Sequence, residues 1–162
     1  MNKRKFWGWG FADQILSKEE EAGVENRIAQ NFGLSEIDAL PIPVAEEIEL
    51  KDPRVKIPDT LKDIFSDDHV ERLNHAYGKS FPDVARAMLG QFPHPPDLIA
   101  FPRNQEEVVD TLDWADKNNI AVIPYGGGSS VCGGVETDVD DSFSGVISLD
   151  LRNLNQVLEI DK

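Results

Sequence analysis

The chain has 162 residues, 40% hydrophobic and 28% charged, which is enough for one domain with a real core. Its 30 acidic residues against 16 basic ones leave a net charge of −14, and this excludes nucleic acid or an anionic membrane as the main partner, since either needs a positive field. A single cysteine, Cys132, forbids an intramolecular disulfide or a multi-cysteine zinc site and fits a cytoplasmic chain, and no apolar run is long enough for a signal peptide or a membrane span.

Residues 1–16 form an aromatic, glycine-rich arm. Phe6, Trp7, Trp9 and Phe11 surround Gly8 and Gly10, and so dense an aromatic cluster is expected to pack on a folded body. Ser17 and Glu20 make a capping box that opens a helix, which should run to about Asn31 and stop at Gly33. Between Leu40 and Pro58, Pro41, Pro43, Pro53 and Pro58 mark an extended surface connector. Two helices follow, about Asp67–Ala76 ending at Gly78 and Pro82–Leu89 ending at Gly90, with Pro82 suited to a first helical position. The acidic clusters at residues 19–21, 46–47 and 67–68 read as solvated faces or helix N-terminal charges.

Near Phe92–Pro96 the pattern changes to alternating strands and helices, which divides the chain into residues 1–91 and 92–162. Asp97–Phe101 reads as a strand closed by Pro102. Asn104 and Glu107 cap a helix by the same box logic, with Val108, Val109, Leu112 and Ala115 as its apolar face and Lys117, Asn118 and Asn119 at its end. Ile120–Pro124 is the next strand, Gly145–Asp150 another, and Gln156–Ile160 a last one after a turn at Arg152–Asn155. The fold class is α+β: a helical and extended N-terminal region, then a βαβ-like unit with a parallel pair at its centre. The sequence stops just after that last strand, as expected of a chain cut inside a larger protein.

The most informative stretch follows the strand Ile120–Pro124. Gly126, Gly127, Gly128, Ser129 and Ser130, then Gly133 and Gly134, form a loop of bare backbone. No lysine lies between Ile120 and Asp150, so the loop is not of the Walker type. Val131 stands where a dinucleotide fingerprint needs its third glycine, and Gly133 and Gly134 oppose the helix that fingerprint requires. A kinase-type loop lacks its partner motifs. What remains is a nest of N–H groups plus two hydroxyls that can hold a phosphate without a lysine. On spacing alone, that nest and a flexible surface loop fit equally well.

Three segments together point further: Pro96–Val108, Ile120–Val131 and Val146–Asp161. They resemble the start of the flavin domain of the vanillyl-alcohol oxidase / p-cresol methylhydroxylase superfamily, a PCMH-type FAD-binding domain. Within it the chain is most similar to the alkyldihydroxyacetonephosphate synthase (alkylglycerone-phosphate synthase) family, through Trp7-Gly8-Trp9-Gly10 and Ala76-Tyr77-Gly78 as well. The resemblance implies FAD as cofactor, with Pro124, Tyr125, Gly126, Gly127, Gly128, Ser129 and Ser130 as its pyrophosphate loop. Ser129 matches the position where some members carry a flavin-linking histidine, which implies non-covalent binding at this loop. The implied reaction exchanges the acyl group of an acylglycerone phosphate for a fatty alcohol through a flavin N5 adduct. The alternative is an FAD-linked oxidase or dehydrogenase of a 2-hydroxy acid. The family's substrate-handling residues have no counterpart here, so no catalytic residue is assigned. Expected partners are a small-molecule or lipid-precursor substrate and a second copy in a homodimer, with no nucleic acid and no integral membrane segment.

Other candidates read as structural. His69, His75 and His94 are too scattered for a metal site, and His94 between prolines reads as a surface or hinge residue. Asp138, Asp140 and Asp141 begin like a calcium loop, but Phe143 occupies the obligatory glycine position, so no metal is expected. Cys132 reads as a small packed residue, with no neighbouring base to activate it. Tyr125 either packs against a cofactor or covers the strand end.

Overall fold

The strands and helices of the second half enclose a sheet whose middle is buried on both faces. The computed structural model describes residues 3–161. The elements in chain order are α1 (Lys18–Phe32), a 3-10 turn (Ala45–Glu47), β1 (Phe65–Ser66), α2 (His69–Asn74), α3 (Phe81–Met88), β2 (Leu98–Ala100), α4 (Gln105–Lys117), β3 (Ile120–Tyr125) and β4 (Gly145–Asp150).

The sheet order is β1-β2-β4-β3. β4 lies between β2 and β3 and is parallel to both, with Ile147 opposite Leu98 on one side and Val122 on the other. Helix α4 therefore carries the chain from β2 past one strand position to β3, and β4 fills the gap later. Every residue of β2 and β4 is buried, as expected of parallel strands covered on both faces. Two-residue β1 adds an antiparallel edge, pairing Phe65 with Ala100.

Two apolar clusters hold this frame. Phe65, Leu98, Ile120, Ile147 and Leu149 pack with Ala115 and Trp114 of α4. Phe6, Leu73, Ala76, Tyr77 and Phe92 form a second cluster with Ile48. The aromatic arm thus does pack on the body, through buried Phe6 and half-buried Trp7, although Trp9 stays 58% exposed. Asp97 locks the start of β4: its carboxylate accepts from Val146 N at 2.7 Å and from Arg54 N at 2.7 Å, and pairs with the Arg54 guanidinium.

The caps at Ser17 and Ser80 form as full boxes, with Glu20 and Asp83 reaching back to the cap N–H. Gly33 ends α1 in the left-handed conformation. At α4 the box is displaced by one residue: Asn104 caps the Glu107 N–H, but the Glu107 carboxylate accepts from Arg103 N at 2.7 Å and pairs with the Arg103 guanidinium. A charge-assisted pair outcompetes the neutral cap N–H. The buried stripe of α4 is Thr111 and Ala115 with half-buried Val108 and Trp114, while Val109 and Leu112 face outward, 48% and 44% exposed. Trp114 stacks edge-on with Phe65 at 5.2 Å and sets this rotation.

Helix α2 is shorter than the expected Asp67–Ala76: Asp68 caps it, and the backbone leaves the helix at His75. Residues 156–160 form no strand. They lie exposed, with Leu158 at 92%, and pair with no described strand.

Candidate functional site

At the carboxyl end of β3 the backbone turns into the glycine loop, beside the carboxyl end of β4. Parallel sheets commonly present ligand sites at that end. Tyr125 is the floor of the loop. It is 5% exposed, its hydroxyl donates to Asn74 O at 3.0 Å, and its ring lies 4.3 Å from the His75 ring. Burial, reinforced by the Asp150 charge, pushes the Tyr125 phenol up to about 12. It is a clamped hydrogen-bond donor, and it covers the strand end.

The loop shape depends on two glycines. Gly128 has φ +66°, and a Cβ there would sit 2.0 Å from the Tyr125 hydroxyl. Gly78, in the turn after α2, has room for no Cβ because Ser130 O would lie 2.3 Å away. That approach lets Lys79 N donate to Ser130 O at 2.6 Å. The Ser130 hydroxyl in turn accepts from Gly134 N at 2.9 Å. Among the described residues, the N–H groups of Gly126, Gly127, Gly128, Ser129 and Ser130 make no hydrogen bond within the protein. Gly126, Gly127 and Ser129 are exposed, and a Cβ on Gly126 would meet nothing within 4 Å. Gly128 is buried and Ser130 half-buried, so the run opens to solvent at Gly126, Gly127 and Ser129, and unpaired N–H groups beside open space are what an anion requires. No helix follows the loop.

Gly126 borders a cleft of about 520 Å³ lined also by Lys3, Arg4, Lys5, Phe11, Glu71, Asn74, His75, Lys79, Tyr125, Asp150 and Arg152. Five cations against two carboxylates make this cleft basic in a chain of net charge −14.

Below the cleft lies an ionic network. His75 is fully buried; its Nδ1 faces Glu71 O at 2.7 Å and its Nε2 faces Asp150 Oδ2 at 2.8 Å. Both ring nitrogens thus face acceptors. Arg152 Nε donates to Asp150 Oδ2 at 2.8 Å, and its guanidinium lies 4.6 Å over the Phe101 ring. Burial pulls the Asp150 carboxyl up, but the hydrogen bonds from His75 and Arg152 outweigh it and hold the group below the usual carboxylate range.

Lys79 is largely buried, and this lowers its ammonium to about 8 against the partial support of Asp83. Between about pH 8 and pH 10 the unfolded chain, with a lysine of ordinary value 10.5, binds more protons than the folded one. Stability therefore rises with pH across that window. Above pH 10 the sign reverses, because folded Tyr125 keeps its proton to about 12 while an unfolded tyrosine loses it near 10.0. In Lys79→Met the rise is expected to vanish and the fall to remain, read as urea midpoints at pH 8, 10 and 11. A rise that persists in the variant would assign it to another group.

The seven loop residues expected from the sequence are contiguous at one strand end; Pro124 is exposed on β3 itself. Sequence reasoning missed His75, Asp150, Arg152, Lys79 and Arg4. Only the spacing of Asp150 and Arg152 at a strand end offered a signal; His75 meets them across 75 residues. Cys132 is exposed rather than packed, because Gly133 and Gly134 leave nothing to cover it. His94 is on the surface as expected, 3.4 Å from Asp138. Among the described residues no helix is long and apolar enough to cross a membrane.

Residues 96–162 match the family described as FAD binding domain. The chain is 35% identical over 145 residues to an alkyldihydroxyacetonephosphate synthase of Trypanosoma brucei brucei, covering 85% of this chain and 22% of that protein. It is 40% identical over 106 residues to the synthase of Dictyostelium discoideum, covering 65% and 16%. A Bacillus subtilis (strain 168) glycolate oxidase subunit GlcD is 28% identical over 98 residues, covering 60% of this chain and 18% of that protein. A solved structure of an alkyldihydroxyacetonephosphate synthase superimposes with a TM-score of 0.79 at 29% identity, covering 98% of this chain and 34% of that one. The chain thus spans about a fifth of the length of the curated relatives it matches. Residues 96–162 thus match the FAD-binding domain family, and over nearly its whole length the chain is similar to the alkyldihydroxyacetonephosphate synthases.

Proposed function

We propose that the glycine loop grips the pyrophosphate of FAD, non-covalently, for an enzyme of the alkyldihydroxyacetonephosphate synthase type. The observation that carries this reading is the run of unpaired N–H groups from Gly126 to Ser130 beside a basic cleft. The residues fit the cofactor: Gly126 and Gly127 leave space for phosphate oxygens to approach the backbone, the Ser129 hydroxyl is exposed to donate, and Ser129 offers no imidazole for a flavin link. Pro124 and Tyr125 set the direction in which the loop leaves β3, and Ser130 braces its far side.

When bound, FAD supplies an electrophilic, redox-active ring. The contribution of this chain is to fix the pyrophosphate with oriented N–H dipoles, to balance its charge with the cleft cations that are not tied to the loop, Lys3, Lys5 and Arg152, and to keep the Tyr125 floor rigid. None of the seven loop residues performs a proton transfer in this reading. The exchange of an acyl group on acylglycerone phosphate for a long-chain fatty alcohol is the proposed reaction, in keeping with the similarity to the alkyldihydroxyacetonephosphate synthases. Oxidation of a 2-hydroxy acid is the second reading, supported by the similarity to the glycolate oxidase subunit. Residues 1–91 would then act as a support for the loop and residues 92–162 as the opening part of the flavin domain. Homodimer formation and a cytoplasmic site of action belong to the same reading.

The intact protein is expected to purify yellow or to take up FAD. Gly126→Val, whose Cβ would meet no protein atom within 4 Å, is expected to lose bound flavin by absorbance at an unchanged unfolding temperature. Wild-type protein that remains colourless and cannot be reconstituted would overturn the flavin reading. Turnover of an acylglycerone phosphate with a fatty alcohol supports the exchange, whereas bleaching of the flavin by a 2-hydroxy acid supports the oxidoreductase.

A further inference from the structure

The N-terminal arm reaches the glycine loop from outside the sheet. Its ends are closed by backbone hydrogen bonds from Lys5 N to Gly10 O at 3.1 Å and from Ala12 N to Lys3 O at 2.8 Å, with Arg4 bridged to Phe11. Phe6 anchors the hairpin in the core, edge-on to Phe92 at 6.1 Å. From this fixed base the Arg4 guanidinium donates to Gly127 O. Lys79 ties the same parts together from below: its backbone N–H donates to Ser130 O, and its ammonium donates to Lys5 O at 3.1 Å and Phe6 O at 3.4 Å.

These contacts act on peptide planes. In a trans peptide the carbonyl and the following N–H point in opposite directions, and no described peptide bond is cis. Holding Gly127 O against Arg4 therefore turns the Gly128 N–H away from the arm. Holding Ser130 O against Lys79 N does the same for Val131. A glycine-rich loop has little intrinsic preference for either orientation, so outside contacts decide it.

We propose that Arg4 is a positioning residue for the anion-gripping loop, and that the arm is a strap which pre-orients the loop's N–H groups before the cofactor arrives. The proposal rests on reading the loop as the FAD pyrophosphate site. Pre-orientation raises affinity because the ordering cost is met on folding rather than on binding. Arg4 is exposed, so its loss should leave the fold intact.

The test uses the intact protein and its variants Arg4→Met and Arg4→Lys. In the ligand-free state, Arg4→Met is expected to speed hydrogen exchange of the Lys79 and Gly134 amides, both of which are bonded to Ser130, at an unchanged unfolding temperature. By titration, its FAD dissociation constant is expected to rise about tenfold, the worth of one hydrogen bond from a charged donor, with an unchanged slope against salt concentration. Arg4→Lys, which keeps a donor, should recover most of both effects. Unchanged exchange in Arg4→Met overturns the strap. An affinity loss accompanied by a flatter salt slope also overturns it, since Arg4 would then contact the anion as a charge. Wild-type protein that binds no FAD removes the cofactor reading, while the exchange result still decides whether Arg4 orders the loop.

Discussion

Asp150→Ala is expected to lower stability by about 3–5 kcal/mol, the usual cost of removing one partner from a buried ion pair. Asp150 is 1% exposed and holds both His75 and Arg152. Without it, a fully buried imidazole faces no acceptor at Nε2, and the distant Glu71 at 3.5 Å is the one carboxylate left to Arg152 among the described residues. Asp150 also caps the chain after β4, accepting from Arg152 N at 2.8 Å. Asp150→Asn keeps the shape and one acceptor, so a smaller loss is expected. The measurement is the urea midpoint of wild type and both variants at pH 7. In the wild type, this carboxylate's contribution should be complete above the ordinary aspartate value of 3.8 and disappear as the pH falls below it, because the folded-state value is lowered. Equal midpoints for wild type and Asp150→Ala would show that the network adds nothing to the fold.

Gly128→Ala is expected to cost about 2–4 kcal/mol, combining a left-handed backbone with overpacking. The added Cβ would lie 2.0 Å from the Tyr125 hydroxyl. Tyr125 would have to swing away, giving up its bond to Asn74 O and its contact with His75. Flavin retention should fall together with stability. This is the opposite pattern to Gly126→Val, where retention falls alone. Thermal unfolding and the flavin-to-protein absorbance ratio separate the two, and a Gly128→Ala protein as stable as wild type would show that the floor is not clamped.

Much of this architecture was legible in the chain because it is written in local chemistry. Ser17 with Glu20, Pro82 behind Ser80, and the apolar runs at Leu98–Ala100, Ile120–Tyr125 and Gly145–Asp150 each specify their element within a few residues. The glycine loop was legible for the same reason, including the lack of a helix after it. What was not legible depends on distant partners. β1 is two residues long and exists because Ala100 lies opposite Phe65. The face of α4 was misjudged because Trp114 seeks Phe65, which lies far off in the sequence. Val157, Leu158 and Ile160 have strand character, yet strand character needs a neighbour, and the described chain leaves them exposed. The supporting cast of the site (His75, Lys79 and Arg4) is invisible to any local pattern, since each meets the loop or β4 only through the fold.

The position of β4 has a consequence for how the protein comes into being. β2 and β3 are synthesised first, and neither touches the other in the finished sheet, because β4 separates them. Until Gly145–Asp150 emerges from the ribosome, β3 has no partner strand and β2 has only two-residue β1 on its far edge. The central strand therefore enters a slot already defined by both of its neighbours, a pairing of high sequence separation and slow closure. Since Leu151 N donates to Tyr125 O and Asp150 pairs with His75, the glycine loop takes its final shape only at that step. During synthesis the nascent chain passes through an interval in which unpaired strand edges are exposed to aggregation or to a chaperone, and the glycine loop reaches its final shape at the end of that interval.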